Sequence, residues 1–420
     1  MSIGAEEAGF PAVSRSLASA GRARPRVAIL TTWHPEPVDN GRKQRTRQII
    51  DAFASTHDIV LVSLLPPGVV RRGPLPPTPG VWRQYAFPIP VFRPRSWSGA
   101  LGFLSLIPRS LVATWSRDTA EAVSWTVAGS GASVVIGTNL QTLRYLDFLR
   151  ESDATIRAVL DEPDVSPFET APPGASRLGR ARHSLRYHKY RRLLRRAAGE
   201  IDAFVVASEH EAHAFERLSG ASRTQVIANG VSRFPTPWRP LASRQLLYTG
   251  SLTYAPNAEA VEFYSSSILP YIAEKMDGVT LAVTGALPDS ALPVHIDPST
   301  RLTGRLDDLE PMYRESRVFI APILSGTGTR IKLLEAMAIG IPIVTTSKGI
   351  EGIPVTAGTH ALIADDPREF ADATLSLLSD DHLAQSLGAN GRAFVMQHGN
   401  WETSAAQFRR LIDGVLHGQS

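Results

Sequence analysis

The sequence predicts an α/β protein built from two doubly wound, Rossmann-like domains. Three observations carry this expectation. Short β-branched runs alternate with helix-like stretches, as parallel strands and their crossover helices do. The runs fall into two series, and the turn-rich segment "ANGVSRFPTPWRP" separates them. At 420 residues the chain also exceeds one ordinary core, so two domains of comparable size are expected.

Residues 1–24 lack the continuous apolar region of a secretion signal and read as a disordered lead-in. The first series begins with "RVAILTT" (Arg26 to Thr32), passes through the helical "RTRQIIDAFAST" and repeats at "DIVLVSLL" (Asp58 to Leu65). "SVVIGT", "IRAVLD" and "DAFVVAS" continue it, giving a first domain over 25–232. The Pro-rich "LLPPGVVRRGPLPPTPG" reads as a long, exposed, mobile loop. A second series, "RQLLYTGS", "VTLAVTG", "VFIAPIL" and "IPIVTT", gives a second domain over 233–400. The closing 401–420 form an amphipathic helix with Trp401, Phe408, Leu411 and Ile412 on one side, expected to pack back across both domains.

Composition narrows the chemistry. A 43 % hydrophobic, 20 % charged chain is that of a soluble globular protein. The absence of cysteine excludes thiol catalysis, cysteine-held metals and disulfides. A formal charge of +4 suits an anionic ligand or phospholipid surface, and no nucleic-acid motif accompanies it. The greasiest run, "LGFLSLIPRSLVATW", is broken by Pro108 and Arg109 and is too short to span a bilayer. The expectation is a cytoplasmic protein.

The densest chemistry lies in "ILSGTGTRIKLLEAMAIG". A strand runs into a glycine-punctuated turn, and a helix is expected to start near Thr329. Its first N–H groups have no partner within the helix, and Gly326 and Gly328 allow close approach to them. Such a terminus attracts anions. Arg330 and Lys332 fall in the first turn, where the helix dipole disfavours cations, so a negative group such as a diphosphate is expected to offset them. Glu335, one turn deeper among apolar residues, suits two vicinal hydroxyls of a ribose. The plainer alternative makes Lys332 and Glu335 an i,i+3 surface pair, which explains neither the glycine turn nor the placement of the cations.

With these residues in view, "SGTGTRIKLLEAMAIGIPIVTTSKGIEGI" resembles the donor-site segment of family-4-type retaining glycosyltransferases of the GT-B fold. "LYTGSLTYAPNAEAVEFYSSSILP", "TGRLDDLEPMYRESRVFIAP" and "ANGV" are similar to further parts of that group, and "TTWHPEPVDNGRKQRTRQIIDAF" and "VVASEHEAHAFERL" resemble its first half more loosely. The resemblance implies two Rossmann-like domains facing a central cleft. It also implies a nucleotide-diphosphate sugar held mainly by the C-terminal domain and a glycan, lipid-linked or small-molecule acceptor held by the other. Glu335 then matches the ribose-binding glutamate, and Arg330 and Lys332 the basic pair near the diphosphate. Gly250 and Ser251 match the turn that approaches the phosphates, with Gly304, Arg305 and Leu306 where main chain holds the base. Gly326, Thr327, Gly328 and Thr329 complete the donor loop. Many relatives carry two glutamates with seven residues between them; the first would fall at Thr327, so sugar contacts pass to Thr327, Thr329 or loop amides.

On the acceptor side the resemblance points to Gly41, although Asn40-Gly41 is equally an ordinary turn dipeptide. Arg45 is expected to reach an anionic acceptor or the donor phosphates, or else to lie on a solvated face. In "AVLDEPDVSPFE", Asp161, Glu162 and Asp164 fall at the carboxyl end of the sheet, where α/β ligand sites lie. Asp161 or Asp164 would orient the acceptor hydroxyl, or simply cap the loop. Relatives often place a histidine where this chain has Pro163. His34, between Trp33 and Pro35, is a further candidate or a packed loop residue. The basic "RLGRARHSLRYHKYRRLLRRAAGE" has a partial apolar strip of Leu185, Tyr190, Leu193 and Leu194, which suits peripheral attachment to an anionic membrane surface or a plain solvated helix. "VFRPRSWSGALGFL", with Phe92, Trp97 and Phe103, reads as an interfacial wedge or a packed loop.

The reaction expected is glycosyl transfer with retention, the charge growing on the diphosphate being balanced by amides, Arg330 and Lys332. In a front-face route of the kind proposed for such enzymes the departing phosphate takes the acceptor proton, and no protein base is required. No cofactor or metal is expected; Asp307-Asp308 and Asp380-Asp381 read as helix-start residues rather than magnesium ligands. Two rivals are a nucleotide-sugar epimerase of the same fold and a catalytically silent nucleotide-sugar-binding subunit.

Overall fold

The computed structural model describes residues 24–93, 105–162, 164–165, 176–220, 224–289 and 294–418. The lead-in before Arg24, Pro163, Trp97 and Phe103 therefore lie outside the described residues.

The chain forms two compact units. Ile227 closes the first, Ala228–Ser404 forms the second, and the chain from Ala405 onward rejoins the first. The first holds seven strands: β1 (Arg26–Thr31), β2 (Asp58–Leu65), β3 (Arg83–Pro88), β4 (Val134–Gly137), β5 (Arg157–Asp161), β6 (Ala203–Val206) and β7 (Thr224–Val226). They make one parallel sheet in the order β3-β2-β1-β4-β5-β6-β7. The second holds β8 (Gln245–Thr249), β9 (Thr280–Thr284), β10 (Thr300–Gly304), β11 (Val318–Ala321), β12 (Ile343–Thr345) and β13 (Leu362–Ile363). Its parallel sheet runs β10-β9-β8-β11-β12-β13.

Both sheets are doubly wound because strand order reverses once in each, between β1 and β4 and between β8 and β11. At such a reversal the loops leaving the two neighbouring strands diverge and open a crevice at their carboxyl ends. Central strands covered on both faces need unbroken apolar runs, and β2, DIVLVSLL, is buried from Ile59 onward. Each unit has its own core, one around Leu30, Val62, Leu146 and Phe215, the other around Leu247, Phe319, Leu333 and Phe370.

Two expectations need correcting. The segment read as a linker packs onto the second unit: Trp238 is buried, its Nε1 donates to the Ser316 carbonyl at 2.9 Å and its main-chain N–H to that of Ile339 at 2.8 Å. The Pro-rich stretch starts with a short helix, Pro67–Val70, and is tied down where the Pro76 carbonyl accepts from Gln84 Nε2 at 3.1 Å. The closing helix, Trp401–Leu416, divides at Ala405 between the two units. Trp401 N–H donates to the Val231 carbonyl at 3.0 Å within the second, while Arg409 Nη1 donates to the Ala52 carbonyl at 2.8 Å within the first.

Burying an indole and satisfying its N–H makes Trp238 a structural anchor. Trp238→Ala is expected to lower the stability of the second unit by about 3–5 kcal/mol, measured by guanidinium denaturation of the whole chain.

Candidate functional site

The second unit gathers most of the donor-side residues at the reversal between β8 and β11. β8 delivers Tyr248 and then Gly250 and Ser251; β11 delivers the loop Ser325–Arg330, which enters the helix Ile331–Ile339. Gly326 and Gly328 hold φ of 93° and 80°, the left-handed region that costs glycine little. The helix starts two residues later than expected. Arg330 is therefore its cap residue rather than part of its first turn.

That shift changes what balances the two cations. Arg330 curls back on its own loop: Nη1 donates to the Thr327 carbonyl and to that of Gly328 at 2.9 Å, and Nη2 donates to the Ser325 carbonyl at 3.2 Å. Lys332 Nζ donates to Tyr248 Oη at 3.0 Å and Asn257 Oδ1 at 2.9 Å. Asn257 in turn accepts from Tyr248 Oη at 2.8 Å and passes an N–H to the Ser251 carbonyl at 2.8 Å. The ammonium thus rests on neutral oxygens. Burial pushes it down to about 7, the nearby Arg330 charge adds to this, and the Glu335 carboxylate opposes it.

Glycine is required where Lys332 meets the β8 turn. A Cβ on Gly250 would lie 2.6 Å from Lys332 Nζ and 2.8 Å from Asn257 Nδ2. Gly285, after β9, passes so close beneath that its own Cβ would sit 2.3 Å from the Gly250 carbonyl oxygen. Gly285 N–H also donates to the Gly304 carbonyl at 2.9 Å, which brings the segment of Gly304, Arg305 and Leu306 to the same end of the sheet. The loop is held from the other side where Ser325 Oγ donates to Glu259 and Gly326 approaches Tyr254 and Pro256. Glu335 lies half-buried one turn into the helix, near enough for its charge to act on Lys332 and Tyr313. Thr327 and Thr329 are half-buried in the loop.

Four contributors escaped the sequence reading: Tyr248, Asn257, Glu259 and Gly285. Tyr248 and Asn257 both lie inside "LYTGSLTYAPNAEA", where a tyrosine at a strand end and an asparagine in a helix are usually packing and capping residues. Asp380 caps the helix Asp381–His398, accepting from Leu383 N–H at 2.9 Å, and Asp308 accepts from Glu310 N–H at 3.0 Å just before the helix Glu310–Glu315. Among the described residues no cluster of metal-ligating side chains occurs.

The first unit has a pocket at its own reversal, lined by Trp33, Arg42, Thr46, Thr138, Asn139 and Glu162, with Arg45 and Asp161 in its wall. Here the expectations for Arg45 and Asp161 are corrected. The anion that Arg45 reaches is Asp161: Nε lies 2.8 Å from Oδ2 and Nη2 lies 2.6 Å from Oδ1, both residues buried. Arg45 also donates to the Ile227 carbonyl at 3.1 Å, so the pair fastens the helix Gly41–Ala54 to β5 and the end of β7. Gly41 opens that helix with Asn40 as its cap, rather than forming a loop. Asp164 is half-buried three residues past Asp161. His34 is a packing residue, bonded through Nε2 to the Pro76 carbonyl at 3.0 Å.

The basic helix Arg177–Glu200 turns Tyr190, Leu193 and Leu194 into the core of the first unit, which accounts for most of the apolar strip. Leu178 and Leu185 stay exposed. No helix among the described residues is long and apolar enough to cross a membrane.

A half-buried glycine loop, a buried ammonium and a carboxylate one turn away thus come together at the reversal between β8 and β11. The match to a known family falls on the same stretch. Residues 243–380 match the family described as Glycosyl transferases group 1. The chain is similar to the phosphatidyl-myo-inositol mannosyltransferase of Mycobacterium leprae, 29 % identical over 35 % of this chain and 42 % of the relative. A GDP-mannose-dependent alpha-(1-6)-phosphatidylinositol monomannoside mannosyltransferase of Mycobacterium tuberculosis is 28 % identical, over 35 % of this chain and 42 % of its own length. The chain thus spans less than half the length of these relatives. Solved structures extend over both units: sucrose-phosphate synthase from Thermosynechococcus elongatus at a TM-score of 0.70 and 18 % identity, covering 94 % of this chain and all of that one. Anabaena HepE, solved in complex with UDP and glucose, gives a TM-score of 0.63 at 13 % identity over 92 % of this chain and 99 % of its own. The fold is the pair of Rossmann-like domains of the GT-B glycosyltransferases.

Two measurements test these assignments. Asp161→Ala leaves a buried guanidinium without its counter-charge and is expected to cost about 3–5 kcal/mol in a denaturation experiment. Lys332 loses its proton at about 7 when folded and at 10.5 when unfolded, so the unfolded chain binds more protons between those values. Stability should rise with pH across that window, and Lys332→Met should abolish the rise.

Proposed function

We propose that the protein is a retaining, metal-independent glycosyltransferase that moves a hexosyl unit from a nucleotide-diphosphate sugar to an acceptor hydroxyl. The observation that carries this reading is the Lys332 ammonium, held against the Gly250 backbone by neutral partners with no acid hydrogen-bonded to it among the described residues. A diphosphate placed there would restore the full charge on Lys332 and receive the free amides of Ile331–Ile339.

Each residue then has a task. Lys332 and the loop amides stabilise the charge that develops on the departing diphosphate. Arg330 shapes the loop through the Thr327, Gly328 and Ser325 carbonyls, and its positive charge stays next to the phosphates. Glu335 accepts from the ribose hydroxyls. Gly304, Arg305 and Leu306 offer main chain to the base, and Thr327 and Thr329 face the sugar. The mannosyltransferase relatives and the UDP complex of HepE support a nucleotide-sugar donor, and the lipid-linked substrates in the relatives' names support a glycan or lipid-linked acceptor.

Protonation of Lys332 links donor affinity to pH. Because burial holds the ammonium at about 7 and a diphosphate would raise it, binding should take up a proton near pH 8 and weaken as pH rises further. Titration calorimetry with UDP-glucose and GDP-mannose, in buffers of different ionisation enthalpy, measures this directly. Glu335→Ala should weaken donor binding with the fold intact, and Lys332→Ala should slow turnover by about a hundredfold. Unchanged donor affinity in Glu335→Ala would remove the ribose assignment.

A further inference from the structure

The glycine loop after β11 is poorly supplied with acceptors for a hydroxyl-rich ligand. Ser325–Arg330 reads Ser-Gly-Thr-Gly-Thr-Arg and contains no acid. The carbonyls of Ser325, Thr327 and Gly328 already accept from Arg330, and the first amides of the helix Ile331–Ile339 can only donate. A sugar ring brings several O–H donors together with an apolar face. Beyond the Thr327 and Thr329 hydroxyls, its acceptors and its packing surface must therefore come from outside this segment.

The chain leaving β8 brings both to the loop. Glu259 lies on the helix Ala255–Phe263 and accepts from Ser325 Oγ through Oε2. The residue is exposed, so its carboxylate stays open to further donors. Tyr254 precedes the same helix. Its carbonyl accepts from Asn257 N–H at 2.9 Å, and its own N–H donates to the Ser251 carbonyl at 3.3 Å. The backbone of Tyr254 is thus fixed by the residues that cage Lys332, yet 49 % of Tyr254 is exposed. Its hydroxyl reaches the loop, because a Cβ on Gly326 would lie 3.1 Å from Tyr254 Oη, and it is near enough to Tyr248 to act on it electrostatically. Neither Tyr254 nor Glu259 is hydrogen-bonded to Lys332 or Arg330 among the described residues.

We propose that Tyr254 and Glu259 read the sugar of the donor, the pyranose packing on the Tyr254 ring while its hydroxyls donate to the Glu259 carboxylate. This rests on the glycosyl-transfer reading above and adds two residues outside the loop to Thr327 and Thr329. Every group involved belongs to the second unit, on the segments that leave β8 and β11. An aromatic face accepts the apolar side of many sugars, whereas a carboxylate fixed by Ser325 discriminates between hydroxyls that point toward it and away from it. Tyr254 then supplies affinity, and Glu259 supplies the choice of hexose.

The test compares each sugar nucleotide with its bare diphosphate. Calorimetry on the full chain measures UDP, UDP-glucose, GDP and GDP-mannose. Glu259→Ala should weaken the better-bound sugar nucleotide about tenfold and leave the matching diphosphate within about twofold. Tyr254→Ala should do the same, and Tyr254→Phe, which keeps the ring, should bind as wild type does. Ser325→Ala separates contact from loop shaping, since it removes the tie and keeps the acid. It should retain the wild-type preference for the sugar nucleotide; a Ser325→Ala protein that copies Glu259→Ala overturns the proposal. Equal losses for sugar nucleotide and diphosphate in Glu259→Ala and Tyr254→Ala, or no loss for either ligand, also overturn it. Wild-type binding of UDP or GDP without their sugar conjugates overturns it and leaves the nucleotide site standing, whereas failure to bind any of the four removes the transferase reading itself. Guanidinium denaturation should place all four variants at the wild-type midpoint, because these side chains lie at the surface.

Discussion

The second unit is organised around a buried ammonium that no carboxylate neutralises by a hydrogen bond among the described residues. Lys332 Nζ lies between Tyr248 and Asn257, and the Gly250 backbone passes where a side chain would collide with it. This one constraint fixes much else. Gly285 must also be bare, because it crosses Gly250 at contact distance, and the glycine loop after β11 must curl tightly enough for Arg330 to bind three of its carbonyls. A cation kept near its point of deprotonation by such a cage is cheap to discharge and is strengthened by any anion that enters.

The first unit answers the same topological problem differently. At its own strand reversal the buried cation, Arg45, has a permanent partner in Asp161. Two parallel hydrogen bonds between planar groups make a rigid tie, which suits fastening a helix to a sheet better than releasing a substrate. Beside that pair, burial pushes the Glu162 carboxyl up to about 8. Doubly wound sheets supply the crevice in both units, and the cation there is paired with a carboxylate in one and with neutral oxygens in the other.

Most of the fold was legible because central strands of parallel sheets must be apolar on both faces. The nine strands read from β-branched runs match β1, β2, β4, β5, β6, β8, β9, β11 and β12. The four overlooked strands, β3, β7, β10 and β13, are the edges of the two sheets. An edge strand has a half-exposed sequence such as RQYAFP or TRLTG, and no continuous apolar run marks it. The donor loop was readable from its glycines and cations. The offset of those cations was not, since the carbonyls that hold Arg330 carry no sequence signal, and the helix begins late enough to make it a cap. Arg45 and Asp161 stand 116 positions apart, and only the sheet order brings them together.

The closing helix bears on the order in which the molecule can be made. Arg409 donates to the Ala52 carbonyl across 357 positions, and Phe408 lies beneath the Arg45 guanidinium with 5.6 Å from ring centre to carbon. On a translating ribosome, at roughly 5–20 residues per second, the first unit waits tens of seconds for these contacts. Throughout that interval the face of Gly41–Ala54 that Phe408 will cover stays bare, while the whole of Ala228–Ser404 is synthesised. Nascent chains of this protein are thus incomplete in their amino-terminal half until Phe408 and Arg409 have been added.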